Sequence, residues 1–277
     1  MKKKEINLPS YEELLGDSGQ VKEVPLSELY EFKNHPFKVR EDAEFSDLLK
    51  SIQEYGVLTP GVARKRNDGG YELISGHRRK AACEKLGLPS MPVIIKDFSD
   101  DEASILVVDS NIQRQNISHS EKARAYALKY DALRHQGKKG GSTLEIISNT
   151  AGENAKTIQR YILLSRLNEN LLDKVDKKQI SFMAGVELSY LTEAQQDIVA
   201  ALDRKINKQQ ARKIRDAAES NSLNAETVNK IFENNTKVQD LFFILDYRKI
   251  QDYCGENFDA QEAESIIYKL LDDWKSN

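Results

Sequence analysis

The chain has 277 residues, of which 39% are hydrophobic and 31% charged, and its formal net charge is −3. This length favours two or three units over one small domain, and a mean hydropathy of −0.60 fits a soluble, helix-rich protein. The near-neutral balance excludes a globally basic nucleic-acid binder. No run approaches the length of a membrane span, and the two cysteines, Cys83 and Cys254, lack zinc-type spacing.

Residues 1–20 read as a tail. Met1-Lys2-Lys3-Lys4 has no apolar core behind it, so it is not a signal peptide, and two thiols without such a signal point to a reducing cytoplasm. Leu8, Tyr11, Leu14 and Leu15 are spaced for one amphipathic turn. From Val21 to Lys96 helix and strand patterns alternate. Phe45, Leu48, Leu49, Ile52 and Tyr55 recur at helical spacing, with Gly56 as the stop. Val57–Arg66 and Tyr71–Ile74 read as strands around the turn Asn67-Asp68-Gly69-Gly70. A helix over Gly76–Leu86 and a strand over Met91–Lys96 follow.

Beyond Lys96 the pattern becomes helical. Ser99-x-x-Glu102 and Ser118-x-x-Glu121 are capping-box signatures that predict helices over Asp100–Arg114 and Ser120–His135. The segment Gly137–Ser142 is a basic loop. Thr143–Ser148 and Asn154–Leu167 read as two helices joined by a tight turn. From Ser118 to Ile180 the sequence is locally basic, whereas beyond Asp216 acids outnumber bases. The last region carries Ile266, Ile267, Leu270, Leu271 and Trp274 on one helical face, either a homodimer seam or the core face of a small domain. Asp240–Leu245 fits strand or helix equally.

Three clusters carry chemistry. In Leu73-Ile74-Ser75-Gly76-His77-Arg78-Arg79 a strand end meets one glycine and two arginines at a helix start. Glycine permits close backbone approach, the helix start offers unpaired N–H groups, and guanidinium forks match phosphate oxygens. The bland alternative is a solvated, charged helix start. In Ser110-Asn111-Ile112-Gln113-Arg114, Asn111 and Arg114 would share a helical face; a solvated helix end explains them as well. In Gly56-Val57-Leu58-Thr59-Pro60-Gly61 the proline suggests an edge strand whose backbone is free to meet a ligand, or an ordinary helix-to-strand turn.

The helix pair from Thr143 has an inward face of Leu144, Ile147, Ile158 and Ile162. Lys156, Thr157, Gln159 and Arg160 point outward, with Glu153 and Asn154 at the start. A recognition helix needs that division, because Gln and Arg present paired donors to base edges; an ordinary amphipathic pair would also show it. Lys122, Lys138 and Lys139 suit phosphate contacts instead.

Taken in this order and spacing, the three clusters and the helix pair resemble the ParB family of chromosome and plasmid partition proteins, over about Val21 to Leu191. Val24-Pro25-Leu26-Ser27-Glu28-Leu29 and Asn34-x-Pro36 also resemble the family's opening segment. The resemblance implies an α+β fold: a small mixed α/β CTP-binding domain over 21–115, an all-α helix-turn-helix domain over 116–206, and a mostly helical, dimerising region over 207–277. It implies CTP with Mg2+ as ligands. Thr59 and Pro60 would lie near the base, Gly76, His77, Arg78 and Arg79 at the triphosphate, and Ser110, Asn111 and Arg114 beside the metal-bound phosphates, with Asn111 as the metal-side residue. It further implies double-stranded DNA, a ParA-type ATPase and a second copy of the chain as partners, no membrane, and a cytoplasmic, nucleoid-associated protein that closes as a clamp on a palindromic site.

The sequence departs from the family pattern at His77 and Ser110, where the family has glutamate, so the expectation is nucleotide binding with slow or absent hydrolysis. Asp109 could replace the missing acid only if its helix shifted. Met183-Ala184-Gly185 replaces the family's His-Ala-Arg, which suggests a different operator and a plasmid or mobile-element home. Three rivals remain open: a transcriptional regulator or nucleoid-occlusion-like factor on the same scaffold, a sulfiredoxin-like enzyme, and a kinase-like one.

Overall fold

The structure, a computed structural model, describes residues 21–114, 116–135, 137, 141–233, 265–269 and 273. Lys138, Lys139, Leu270, Leu271, Trp274, the tail apolar residues and Asp240–Leu245 lie outside them. The chain divides into two compact units between Ile231 and Phe232.

The first unit begins with β1 (Val21–Pro25), β2 (Leu29–Glu31), α1 (Ala43–Tyr55), β3 (Gly61–Lys65), β4 (Tyr71–Ser75), α2 (His77–Lys85), β5 (Ser90–Ile95) and α3 (Asp100–Asp109). The strands form one mixed sheet in the order β1-β5-β3-β4-β2. β1 runs antiparallel to β5 and β4 antiparallel to β3, while β3/β5 and β2/β4 are parallel.

Strand pleating sends successive side chains to opposite faces. Ala63, Leu73, Met91 and Val93 pack with Phe45 and Ile52 of α1 and Ala82 and Cys83 of α2. Val62 and Ile74 face the other way, onto Ala103, Leu106 and Val107 of α3. Each fully buried aliphatic side chain in these layers contributes about 1.5–3 kcal/mol.

Three expectations change here. The strand expected over Val57–Arg66 shrinks to Gly61–Lys65, and it is the central strand of the sheet, not an edge. Pro60 lies just before it, where the missing N–H disturbs no ladder. The helix expected to reach Arg114 stops at Asp109, because the Asn111 side-chain amide donates to the Val107 carbonyl at 2.8 Å and closes the helix end.

The helical part comprises α4 (His119–His135), α5 (Gly141–Ala151), α6 (Ala155–Leu164), α7 (Glu169–Asp176), α8 (Phe182–Leu188), α9 (Glu193–Ala200), α10 (Lys208–Glu219) and α11 (Ala225–Glu233). Both capping boxes form: Ser99 with Glu102 at α3, and Ser118 with Glu121 at α4. α4 packs against α3, α5, α6 and α7, which joins the helices to the sheet. α10 packs against α8, so the bundle runs past residue 206, where the helix-turn-helix domain was expected to close. The inward face of α6 is Ile158, Tyr161 and Leu164; Ile162, expected there, is half-buried. No helix among the described residues is long and apolar enough to cross a membrane.

Gly185 is where α8 approaches α6 and α7 most closely. A Cβ there would stand 2.6 Å from Leu164 Cδ1 and 3.1 Å from Val175 Cγ2. Gly185→Val should destabilise the protein by about 1–3 kcal/mol through overpacking. A thermal melt that matches wild type would show that the three helices separate at low cost.

Candidate functional site

The start of α2 is built to meet an anion. Gly76 takes φ 109°, a conformation most L-residues avoid, and caps the helix without a side chain. A Cβ at Gly76 would stand 3.2 Å from Gly61 Cα, so the loop presses directly on the start of β3. Helix geometry leaves the first N–H groups of α2 without intrahelical partners, and the helix dipole favours negative charge there.

Three guanidinium groups surround this turn, each held differently. Arg79 donates through Nη1 to the carbonyls of Thr59 and, at 2.7 Å, Pro60. Arg78 donates to Asp42 at 2.6 Å and lies 3.5 Å from Glu44. Asp42 also caps α1 by accepting the Phe45 N–H at 2.9 Å, and that bond and then Arg78 hold its carboxyl below the usual range.

Arg114 makes no side-chain hydrogen bond or ion pair among the described residues. Desolvation, then Arg78 and Arg79, lower it from the ordinary guanidinium range, against Glu121 and Glu44, which raise it. Thr59, Gly76, Arg79, Ser110 and Arg114 line a cleft of about 480 Å³. Arg78 and Arg114 also line an adjoining one of about 320 Å³ with Arg40, Asp42 and Glu121. These volumes suit a nucleotide-sized ligand.

His77 lies behind the arginines. Its ring centroid is 3.9 Å from that of His35, whose Nδ1 is 2.7 Å from the Phe37 carbonyl. A carbonyl only accepts, so Nδ1 of His35 carries the proton. The Nε2 atoms of both rings are buried without partners among the described residues. Desolvation, then His35, Arg114, Lys80 and Arg79, lower His77 to about 3. Desolvation likewise lowers His35, against Phe37, Glu31 and Glu121, which raise it, and with Arg114, which lowers it. Both imidazoles are therefore neutral near pH 7.

The end of α3 holds the other expected residues, differently from a continuous helix. Ser110 lines the larger cleft. Asn111 is 4% exposed, with its amide nitrogen tied to Val107 and Ser110, while Arg114 is exposed and lies in the turn beyond the helix end. The two do not share a helical face. Asp109 points away from the cleft to an ion pair with Lys129, itself 2% exposed and bonded to Thr150 Oγ1 at 2.7 Å. Asp109 therefore supplies no carboxylate to the cleft. No cluster of three or more His, Cys, Asp or Glu among the described residues is arranged for a metal ion. A divalent cation here would take its ligands from phosphate and water, with Asn111 at most one protein contribution.

In the helical part, Lys156 and Gln159 of α6 are exposed, and Thr157 and Arg160 are half-exposed beside them. Asn154 caps α6 by accepting the Thr157 N–H at 2.8 Å. Glu153 and Lys122, both expected to face DNA, instead pair with each other at 2.5 Å and are largely buried. Their charges fix the turn before α6. Cys83 is buried in the sheet core and desolvation raises its thiol, the opposite of what a reactive thiolate needs. Sequence reasoning missed His35, Asp42 and Lys129, because each acts through a residue remote in sequence.

The ParB N-terminal domain family matches residues 11–112. The chain is 32% identical over 165 residues to the nucleoid occlusion protein of Bacillus licheniformis, covering 58% of this chain and 55% of that one. It is 31% identical over 189 residues to the probable chromosome 1-partitioning protein ParB of Deinococcus radiodurans, covering 68% and 62%. The chain thus spans little more than half the length of these relatives. Among solved structures, it is similar to the C-terminally truncated ParB of Caulobacter crescentus complexed to the centromeric parS site, with TM-score 0.40 and 18% identity over 72% of this chain and 99% of that one. The same protein complexed with CTP-gamma-S gives TM-score 0.32 and 21% identity over 71% and 99%.

The lowered imidazoles make stability pH-dependent. Above pH 6.5 His77 is neutral both folded and unfolded, so it adds no pH dependence there. As pH falls from 6.5 towards 3, the unfolded chain takes up a proton that the folded one refuses, and stability is lost at up to about 1.4 kcal/mol per pH unit. Urea unfolding of His77→Gln at pH 7.5, 6.0 and 5.0 should give a shallower decline than wild type. Parallel declines would mean that His77 ionises freely in the folded protein.

Proposed function

From the premise that the chain belongs to the ParB family through its N-terminal domain, we propose that it is a sequence-specific DNA-binding protein that binds CTP with Mg2+ beside α2. It would act in segregation of a plasmid, chromosome or mobile element. The observation that carries the nucleotide reading is the cleft that Arg114, Arg78 and Arg79 line together with Gly76 at a helix start without a side-chain cap, Arg114 making no hydrogen bond or ion pair through its side chain among the described residues. A triphosphate would supply the negative charge this cradle lacks. Arg114 would then gain a direct ion pair, Gly76 would admit the phosphates to the backbone N–H groups, and Ser110 would border them.

The Thr59 and Pro60 carbonyls, proposed to lie near the base, are held by Arg79, so Arg79 sets the shape of the base-side wall. Hydrolysis would be slow or absent, because Ser110 has no carboxylate and Asp109 is committed to Lys129.

Coupling to DNA would run through the segment after α3. Asp109 and Gln113 flank Ser110 and Asn111, and they hold Lys129 of α4 and the Thr150 carbonyl of α5 respectively. A ligand that draws Ser110 and Arg114 together would therefore strain the contacts that seat the α5–α6 pair. DNA reading would fall to Lys156, Thr157, Gln159 and Arg160, and this division supports domain limits near 115. Binding as a homodimer to a palindromic site, spreading as a clamp, and association with a ParA-type ATPase through the N-terminal lysines are part of the same proposal. Nucleoid occlusion is the second reading, favoured by the name of the Bacillus licheniformis relative.

Two substitutions test the assignment. Arg114→Ala should abolish binding of labelled CTP in equilibrium dialysis without lowering the melting temperature, since that guanidinium makes no hydrogen bond or ion pair among the described residues. Arg79→Ala should lose both, because it also ties the Thr59–Pro60 loop. Full CTP affinity in Arg114→Ala would exclude the cradle. On the other face, Arg160→Ala should cost about 1–3 kcal/mol of discrimination between the recovered operator and random duplex. Equal loss on both would restrict Arg160 to phosphate contact.

A further inference from the structure

The two clefts beside α2 share a wall. Arg78 and Arg114 line both, Thr59 and Gly76 line only the larger, and Arg40 lines only the smaller. Arg40 belongs to the segment ahead of α1, two residues before Asp42, which holds Arg78 at 2.6 Å. Nothing in the sequence around Arg40 marks it as a site residue; the fold brings it there.

Arg40 already grips an anion from within the protein. Its Nη2 donates to Glu121 Oε2 at 2.5 Å, and its Nη1 donates to the Asn116 carbonyl at 2.6 Å. A carboxylate and a phosphate both offer anionic oxygens to a guanidinium fork. Glu121 therefore stands where a phosphate oxygen could replace it.

That exchange would leave no buried group unanswered. Glu121 is 4% exposed, but its carboxylate does not depend on Arg40. Oε1 accepts the Lys38 N–H at 2.9 Å and Oε2 accepts the Ser118 N–H at 2.9 Å. Both donors are backbone groups, and Glu121 lies in the first turn of α4, where the helix dipole favours negative charge. The Asn116 carbonyl belongs to an exposed residue, so water can take the place of its donor. The Arg40 side chain is itself 44% exposed, which leaves it room to swing. Arg79, tied to two carbonyls of the Thr59–Pro60 loop, has no such freedom.

The layout of the clefts orders the contacts along a ligand. With its base at Thr59 and Pro60, a nucleotide would run its phosphate chain past Gly76 to Arg78 and Arg114, and the far end of that chain would enter the smaller cleft. Asp42 and Glu44 border the smaller cleft and oppose an anion there, although Arg78 pairs with both. A phosphate that passes the shared wall therefore gains from one more cation, and Arg40 is the guanidinium found on that side alone.

We propose that Arg40 leaves Glu121 for the terminal phosphate of a bound nucleoside triphosphate, and that this exchange distinguishes a triphosphate from a diphosphate. The proposal rests on the reading of the larger cleft as a nucleotide site. A diphosphate ends at the wall of Arg78 and Arg114 and leaves Arg40 on Glu121. A triphosphate reaches one group further and recruits it.

Isothermal titration of the full chain with CTP and with CDP, in one Mg2+ buffer, reads the effect as a ratio of two affinities. Wild type should prefer CTP by about 10- to 100-fold, the range of one charge-assisted contact. Arg40→Ala should bring that ratio below about threefold, chiefly through loss of CTP affinity, while CDP binding shows that the cleft is still formed. Arg40→Gln keeps a donor for the Asn116 carbonyl and should give the same collapsed ratio, so it carries the test if the alanine variant fails to fold. Arg40→Lys keeps the charge without the fork and should fall between. A wild-type ratio in the alanine and glutamine variants, or equal losses for both nucleotides, would overturn the proposal and leave Arg40 as part of the frame. Wild-type protein that binds CTP and CDP equally would overturn it as well, with the nucleotide site intact. Wild-type protein that binds neither would overturn the nucleotide reading and this one with it.

Discussion

The N-terminal domain depends on one contact, the close approach of Gly76 to Gly61 with Arg79 laid across it. A Cβ at Gly76 would press on Gly61 Cα at 3.2 Å, while one at Gly61 would strike Met91 and Leu73 of the sheet core, so both positions call for glycine. Arg79 then ties the loop ahead of β3 to the helix through two carbonyls. Gly76 at the start of α2 borders the cleft. The three guanidinium groups gather there as a consequence, and the fold neutralises them unevenly. Arg78 is answered by Asp42 and Glu44, and Arg79 by carbonyls, while Arg114 makes no side-chain hydrogen bond or ion pair among the described residues.

The same economy of partners explains the link to the helices. Lys129 is a buried ammonium and its two acceptors come from different elements, Asp109 at the end of α3 and Thr150 in α5. The ammonium is buried while Asp109 stays partly exposed, so the pair ties the two elements together at their shared edge. The residues that would touch a nucleotide and those that seat the helix pair are therefore separated by a single turn of chain. Binding at one end has a short mechanical route to the other.

Much of this was legible in the sequence, for identifiable reasons. The helix over Ala43–Tyr55 and both capping boxes follow from local chemistry that three or four residues specify. The glycine turn into α2 was legible because glycine, helix start and paired arginines are adjacent. The misses share a different cause. Asn111 was read as a helical residue beside Arg114, but its amide competes for the Val107 carbonyl and ends the helix. Glu153 and Lys122 were read separately, as a residue at the start of the recognition helix and a phosphate contact, because their pairing spans 31 residues. The strand after Pro60 was read as an edge, though sheet order is set by long-range pairing that no window of sequence displays. His77 stands out in the sequence only as a replacement; its neutral, stacked state depends on His35, 42 positions earlier.

The central claim is that the unpaired charge at Arg114 and the uncapped start of α2 constitute a binding site for a pyrimidine nucleoside triphosphate. Isothermal titration of the full chain with CTP, beside UTP, ATP and GTP and with and without Mg2+, tests it most directly. The account predicts saturable heat for CTP with a stoichiometry near one per chain and weaker binding of the other three. No heat for CTP under either condition, or equal affinity for all four nucleotides, would contradict it.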